Sequence, residues 1–310
     1  MFSVIFPGQG SQIVGMTSEF YSKYDLIKKL YKEADEILNF PISKLILEGP
    51  KDQLDLTENT QPAIFLVGYS IFKLINEYHK IDIKKSKFYA GHSLGEYTAL
   101  ACAGALSFSD TLKILKIRGK AMQEAVPKGE GGMLAILGSD LDSINNILKE
   151  NEKNFECFIA NDNSDNQLVV SGSSESIQKF SDYLNTKKIK NIKLQVSAPF
   201  HCKLMNNATR VMEKEIKKLE FKNFENILIS NVTAKEIKDK DILKDLLVQQ
   251  IESKVRWRES IKYMIDYGVS SFIEIGPGKV LSGLIKRINR DVKVSAINKE
   301  EDISTISIND

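Results

Sequence analysis

Tyr89-Ala90-Gly91-His92-Ser93-Leu94-Gly95-Glu96-Tyr97 is the stretch on which the reading of this chain turns. It fits Gly-x-Ser-x-Gly, the tight turn that lifts a serine between a strand and a helix. The residues on either side suit that context. Lys87-Phe88-Tyr89-Ala90 reads as a short strand. Leu94 to Ala103 reads as a helix of small residues (Ala99, Ala101, Cys102, Ala103), with Gly104 to end it. The glycines let neighbouring backbone come close in a tight turn. Ser93 then stands at a helix N-terminus, where free N–H groups and the dipole favour developing negative charge. On this stretch alone Ser93 is either a nucleophile or a helix cap.

The whole chain sets wide bounds. Its 310 residues suffice for one large domain or two, and a 42% apolar fraction is enough for a sizeable core. The 43 basic and 41 acidic residues leave a formal charge of +2, which gives no argument for nucleic acid or a membrane as partner. Cys102, Cys157 and Cys202 show no Cys-x-x-Cys spacing and no obvious pairing, so a reducing compartment is expected. No apolar run reaches transmembrane length, and Met1-Phe2-Ser3-Val4-Ile5-Phe6-Pro7 reads as a first strand rather than a signal peptide. The expected location is the cytoplasm.

Upstream of the serine turn, Phe2 to Phe6 is a short apolar strand. It runs into Pro7-Gly8-Gln9-Gly10-Ser11-Gln12, a loop at a strand end, where α/β folds hold ligands. It is no dinucleotide fingerprint, because Ile13 stands where a third glycine is needed. Helical patterns continue to about Leu47. Thr60 is expected to cap a helix that opens at Pro62 and runs, apolar on several sides, to about Glu77.

Downstream, Ser107 to Val126 reads as a helix with a cap signature at Ser107 and Asp110. Arg118 lies on its apolar face, among Ile114, Leu115, Ala121 and Met122, with no carboxylate at helical pairing distance. A buried guanidinium without a partner is costly. It pairs with a distant acid, reaches to water along its stem, or holds a ligand carboxylate in a bidentate grip.

From Gly131 the pattern changes. Strands at Met133–Leu137, Glu156–Ala160, Gln167–Ser171 and Ile189–Val196 alternate with helices at Asp140–Lys149 and Ser174–Thr186. That order, β-α-β-β-α-β, is a split βαβ module. The expected fold class is therefore α/β: a large α/β-hydrolase-like body with a parallel sheet, residues 1–126 and 198–310, interrupted by an inserted ferredoxin-like subdomain, residues 127–197. Beyond Ser197-Ala198-Pro199-Phe200-His201 the pattern gives helices at Thr209–Lys218, Ile242–Ile251 and Trp257–Tyr267, and strands at Ile227–Val232, Ser271–Ile275 and Lys293–Ile297. Gly276-Pro277-Gly278-Lys279 reads as a strand-to-helix turn, since it lacks the phosphate-loop spacing.

A serine hydroxyl needs a base at neutral pH. There are three histidines. His92 adjoins Ser93 and reads as structural, and His79, at a helix end among charges, reads as solvated. His201, in a turn with apolar walls, is the general base by elimination; the other reading is a hydrogen-bonded core histidine. The acids between Ser93 and His201 fall largely in the inserted module, and more than a hundred residues follow His201. An α/β-hydrolase triad orders its groups differently. A dyad is expected, or a third group that is not a carboxylate.

Phe6-Pro7-Gly8-Gln9-Gly10-Ser11-Gln12, Gly91-His92-Ser93-Leu94-Gly95-Glu96-Tyr97, Arg118-Gly119-Lys120-Ala121-Met122-Gln123 and Ser197-Ala198-Pro199-Phe200-His201 together resemble, in family order, the signatures of the malonyl-CoA:acyl carrier protein transacylases. The resemblance implies a malonyl transfer from malonyl-CoA to acyl carrier protein, by ping-pong through a malonyl-serine, in fatty acid synthesis. It implies Ser93 as nucleophile, His201 as base and Arg118 as ligand of the malonyl carboxylate. It implies the Gln9 and Leu94 backbone N–H groups as oxyanion hole, the Gln250 main-chain carbonyl as orienter of the imidazole, and Asn161, in an asparagine-rich stretch, beside the site. Phe200 would crowd the acyl α-carbon and favour malonyl over its branched analogue. Cys202 stands where many relatives have serine, with no expected effect on the chemistry. No metal or redox cofactor is implied, and a monomer is expected. Lys187, Lys188, Lys190 and Lys193, and Lys286, Arg287 and Arg290, are candidate docking charges for an acidic carrier protein, or simply solvated faces. The rival functions are a serine hydrolase such as a thioesterase, and a non-catalytic binder of acyl carrier protein.

Overall fold

The computed structural model describes residues 1–79, 81–196 and 198–306. Among the described residues the chain builds two sheets. The larger contains β1 (Phe2–Phe6), β2 (Phe88–Gly91), β7 (Ile227–Ile229), β8 (Glu236–Ile237), β9 (Ser271–Ile275) and β10 (Lys293–Ile297), in the order β10-β9-β1-β2-β7-β8. The smaller contains β3 (Gly131–Leu137), β4 (Cys157–Ser164), β5 (Gln167–Ser173) and β6 (Lys190–Lys193), in the order β4-β5-β3-β6. The class expected from the pattern, α/β, is the class found.

The larger sheet departs from the all-parallel expectation at one edge. Strands β10, β9, β1, β2 and β7 run parallel, but β8 pairs antiparallel with β7. Only two residues of β8 pair, and the segment before it, Ser230 to Lys235, turns back on itself. The expected strand at Ile227–Val232 stops at Ile229 for that reason. A two-stranded antiparallel edge needs a short reversal, whereas a parallel neighbour would need a full crossover.

Central strands buried on both faces read as continuous apolar runs. Every residue of β1 and of β9 is buried. Alternate side chains then serve opposite cores. Val4 and Phe6 join the cluster with Ile64, Phe65 and Tyr89, while Ile5 joins the one with Phe88, Trp257 and Phe272. The small antiparallel sheet has its own core of Leu134, Ile136, Val170, Ile177 and Phe180.

One helix begins earlier than the sequence suggested. It spans Thr57–Tyr78, with Pro62 inside it. Thr60 does not cap it; its hydroxyl donates to the Leu54 carbonyl at 2.6 Å. Pro62 is the sixth residue of that helix, so it forgoes the bond its N–H would have made to the Glu58 carbonyl, a cost that a proline in the first turn does not carry. The extra turn places Thr57 and Gln61 against the neighbouring Phe108–Gln123 helix, whose Ser107 cap is formed as expected. His79 is also a correction. It is half-buried rather than solvated, with its ring edge-on to Tyr24.

The turn at Gly276-Pro277-Gly278-Lys279 is a strand-to-helix connection, with φ +144° at Gly276 and +77° at Gly278. It feeds the Val280–Ile288 helix. Glu274, buried in β9, accepts from the Leu281 and Ser282 backbone N–H groups and caps that helix.

Candidate active site

Ser93 sits between β2 and the Leu94–Cys102 helix, as the Gly-x-Ser-x-Gly reading requires. Its φ of 55° is uncommon for a residue with a side chain. The flanking glycines explain how the turn is held. A Cβ at Gly91 would lie 1.9 Å from the Gly95 carbonyl, and a Cβ at Gly95 would lie 2.3 Å from the Phe6 oxygen. No side chain fits at either position. The strained serine is therefore imposed by backbone packed on backbone.

Four chain segments converge on it. The Ser93 Oγ lies 2.8 Å from His201 Nε2. His201 Nδ1 lies 2.9 Å from the Gln250 main-chain oxygen. A carbonyl can only accept, so Nδ1 carries the proton and Nε2 presents its lone pair to the serine. The third group is thus a carbonyl, not a carboxylate. His201 is buried, and burial with the nearby Arg118 charge holds its pKa down to about 3. It is neutral throughout the physiological range.

Arg118 is buried and donates to Ser93 Oγ at 3.2 Å, Gln61 Oε1 at 2.8 Å and Gln250 Oε1 at 2.8 Å. The Tyr97 ring lies under it, 5.4 Å from the guanidinium carbon. Of the sequence alternatives, snorkelling to water is excluded by this burial. Its hydrogen-bond acceptors are neutral among the described residues, and burial lowers its pKa. The nearest acid acting on it is Glu96, reached across the Gln250 amide. A cation so placed, beside the nucleophile, suits an incoming carboxylate.

Ser93, His201 and Arg118 line a cleft of about 480 Å³ with Gln9, Leu94, Asn161 and Phe200. Leu94 is the first residue of its helix, so its N–H has no partner within that helix. The structure thus brings every site residue named from the sequence to one place. A separate surface hollow, beside Tyr69, Lys73 and Cys102, contains none of these groups, and burial holds the Cys102 thiol in its neutral form. Cys202 donates to the Pro199 carbonyl and has its pKa pushed up to about 12 by burial.

Sequence reasoning missed several partners. Gln61 fixes one arm of Arg118. The Asn231 side chain accepts from the Ser93 N–H at 2.7 Å and donates to the Gly91 carbonyl at 2.7 Å. Glu96, inside the quoted motif, accepts from Gln250 Nε2 at 2.5 Å. His92 pairs with Asn163 at 2.9 Å, which makes it structural as expected. Asn163, Asp162 and Asn161 form an irregular end of β4 that reaches over the site. Only the Asn161-Asp162-Asn163-Ser164 stretch had a sequence signal; Gln61 and Asn231 had none.

The family model described as acyl transferase domain matches residues 3–305. The chain belongs to that family. Among acyl transferases it is 42% identical over 301 residues to the malonyl CoA-acyl carrier protein transacylase of Bacillus subtilis, covering 96% of this chain and 94% of that protein. It is 36% identical to that of Escherichia coli K12, over 96% of each. The crystal structure of the acyl-carrier-protein-S-malonyltransferase of Bartonella henselae superimposes with a TM-score of 0.94 at 38% identity, over 98% and 97% of the two chains. A malonyl-transacylase in complex with a type II PKS acyl-carrier protein matches with a TM-score of 0.93 at 34% identity, over 98% of each.

Proposed function

We propose that this chain transfers malonyl from malonyl-CoA to the phosphopantetheine thiol of acyl carrier protein in fatty acid synthesis. The observation that carries the reading is the contact of Ser93 Oγ with both His201 Nε2 and an Arg118 that lacks a carboxylate of its own. A hydrolase has no use for that cation. Relatives over nearly the full length carry the same activity in their names.

His201 Nε2 takes the Ser93 hydroxyl proton as Oγ attacks the thioester carbonyl. The Gln9 and Leu94 N–H groups face the resulting oxyanion, and one such donor contributes about 10²–10³ in rate. Collapse breaks the C–S bond, and Nε2–H returns the proton to the CoA sulfur. The carrier-protein thiol then gives its proton to His201, attacks the malonyl-serine and regenerates Ser93. Arg118 holds the malonyl carboxylate throughout. A charged hydrogen bond contributes roughly 1.5–3 kcal/mol, which separates malonyl from acetyl. Phe200 stands on the cleft wall, where it limits branching at the acyl α-carbon. Asn161 borders the acyl group from the smaller sheet. The reaction uses no metal or redox cofactor.

The same reading takes the body as hydrolase-like and residues 127–197 as a ferredoxin-like subdomain. The antiparallel order β4-β5-β3-β6 supports the latter, being the order of a split βαβ unit. It takes the protein as a cytoplasmic monomer; among the described residues no helix is long and apolar enough to cross a membrane.

Intact-mass measurement after brief mixing with malonyl-CoA is the test. A malonyl adduct is expected on the wild type and not on Ser93→Ala. Arg118→Ala is expected to lose the preference for malonyl-CoA over acetyl-CoA. An adduct that persists without Ser93 would overturn the nucleophile. Rapid steady release of malonate would favour the thioesterase, and no adduct at all the non-catalytic binder.

A further inference from the structure

The nucleophile is strained, and something must hold it. Its backbone is gripped from both sides by amide side chains. Asn231 Oδ1 accepts from the Ser93 N–H at 2.7 Å. Gln250 Nε2 donates to the Ser93 carbonyl at 3.1 Å. Both amide-bearing residues end on one buried carboxylate oxygen. Glu96 Oε2 accepts from Gln250 Nε2 at 2.5 Å and from the Asn231 backbone N–H at 3.3 Å.

That carboxylate has a directional consequence. An amide can point either way, and its neighbours choose. With Glu96 as acceptor, the Gln250 side chain must present Nε2 to it. The amide oxygen then faces Arg118 at 2.8 Å. The same residue's main-chain oxygen orients His201. Gln250 thus touches nucleophile, base and cation, and Glu96 sets its side-chain direction together with the donor-only Arg118 and the Ser93 carbonyl. Glu96 itself is fully enclosed, and the charged group facing it from a neighbouring helix is Arg118; Tyr97 adjoins both.

We propose that Glu96 is a positioning residue for acyl transfer, whose carboxylate oxygen holds Gln250 and Asn231 on the Ser93 peptide and turns the Gln250 amide oxygen to Arg118. The proposal rests on the malonyl-transfer reading. Burial raises the Glu96 pKa to about 7, so the acid is half-ionised near neutrality. Either ionisation state keeps an acceptor oxygen for Gln250.

The expected behaviour follows from what each substitution leaves in place. Glu96→Gln keeps an acceptor oxygen of similar reach. It should acylate Ser93 within about fivefold of wild type. Glu96→Asp is one methylene short and cannot reach both partners. Glu96→Leu has no acceptor. Both should lose on the order of a hundredfold in kcat/KM for acylation, in the range of losing one preorganised donor. Both should also lower the ratio of malonyl-CoA to acetyl-CoA rates, because Arg118 keeps Gln61 but loses the fixed partner of its other arm. A merely structural residue would lower the folded fraction and leave that ratio alone.

The experiment is stopped-flow acylation with malonyl-CoA and acetyl-CoA on the full chain, with circular dichroism to score folding. If Glu96→Leu does not fold, Glu96→Asp decides. Retention of wild-type rate and ratio by a folded Asp or Leu variant overturns the proposal, as does a Gln variant as impaired as Leu. Wild type without an adduct would instead sink the transferase reading, so the two failures are distinct.

Discussion

At the residue scale the site is governed by protonation states that burial enforces. His201 has an ordinary histidine pKa when unfolded and about 3 when folded. The unfolded chain binds this proton between those values and the folded chain does not. Stability from His201 is therefore full above about pH 6.5 and falls as pH drops through that window. Glu96 works in the opposite sense. Its folded pKa is raised to about 7, so its contribution is full below the usual carboxylate range and is lost as pH rises to neutrality. Replacing His201 with Gln removes the first effect alone. Relative to wild type, His201→Gln should gain about 2 kcal/mol of unfolding free energy from pH 7 to pH 5, at ~1.4 kcal/mol per pH unit. Denaturant melts at both pH values measure this, and parallel shifts would contradict a buried neutral His201.

At the scale of elements, two close approaches shape the site. One is the serine turn against β1. The other joins the Thr57–Tyr78 and Phe108–Gln123 helices at Gly119, where an added Cβ would meet the Thr57 oxygen at 2.4 Å. Gly119 adjoins Arg118, and Gln61 on the facing helix holds that arginine. Gly119→Ala must push the helices apart. It is expected to cost roughly 1–3 kcal/mol of stability and to weaken malonyl selectivity together with it. Thermal unfolding and the malonyl-to-acetyl ratio test this, and an unchanged ratio would mean that Arg118 does not depend on that spacing. The serine turn and the Ser107 cap were legible because each is a local pattern. The start of the Thr57–Tyr78 helix was not, because Pro62 normally signals a first turn and tertiary contacts extended it upstream.

At the scale of the whole molecule, the smaller sheet is joined to the larger by charge. Asp162, at the end of β4, is fully buried and receives Arg258 Nε and Nη2 at 2.8 and 2.9 Å. Arg258 lies on the Trp257–Asp266 helix and also reaches Asp165. Removing one partner of a buried pair typically costs about 3–5 kcal/mol. Asp162→Ala should therefore lower stability by that order and, since Asn161 and Asn163 flank it, slow acylation; denaturant titration and the acylation rate check both. Carrier-protein docking belongs to this scale too. The Lys187, Lys188, Lys190 and Lys193 group and the Lys286, Arg287 and Arg290 group are all exposed. Lys286 and Arg287 share their helix with the cleft residues Leu281 and Leu284, Arg290 lies just past its end, and Arg287 bonds the cleft residue Gln167. Charge reversal in a true docking cluster should raise KM for carrier protein and leave that for malonyl-CoA unchanged. An unmoved carrier-protein KM would reject the cluster.

Read alone, the sequence determined the α/β class, the order of the two modules, the serine turn, and the choice of His201 and Arg118. The class, the modules and the serine turn rest on short-range spacing, apolar periods and glycines at a turn; His201 came by elimination, and the roles of His201 and Arg118 came from the resemblance of four motifs to a known family. Folding alone decided the partners of those groups. Gln61, Asn231, the Gln250 side chain and Glu96 come from four separate segments, and an amide or a carboxylate in a helix or loop looks the same whether it meets water or a nucleophile. Which of the two it meets is set by how the sheet and helices bring distant segments together, and no local pattern encodes that.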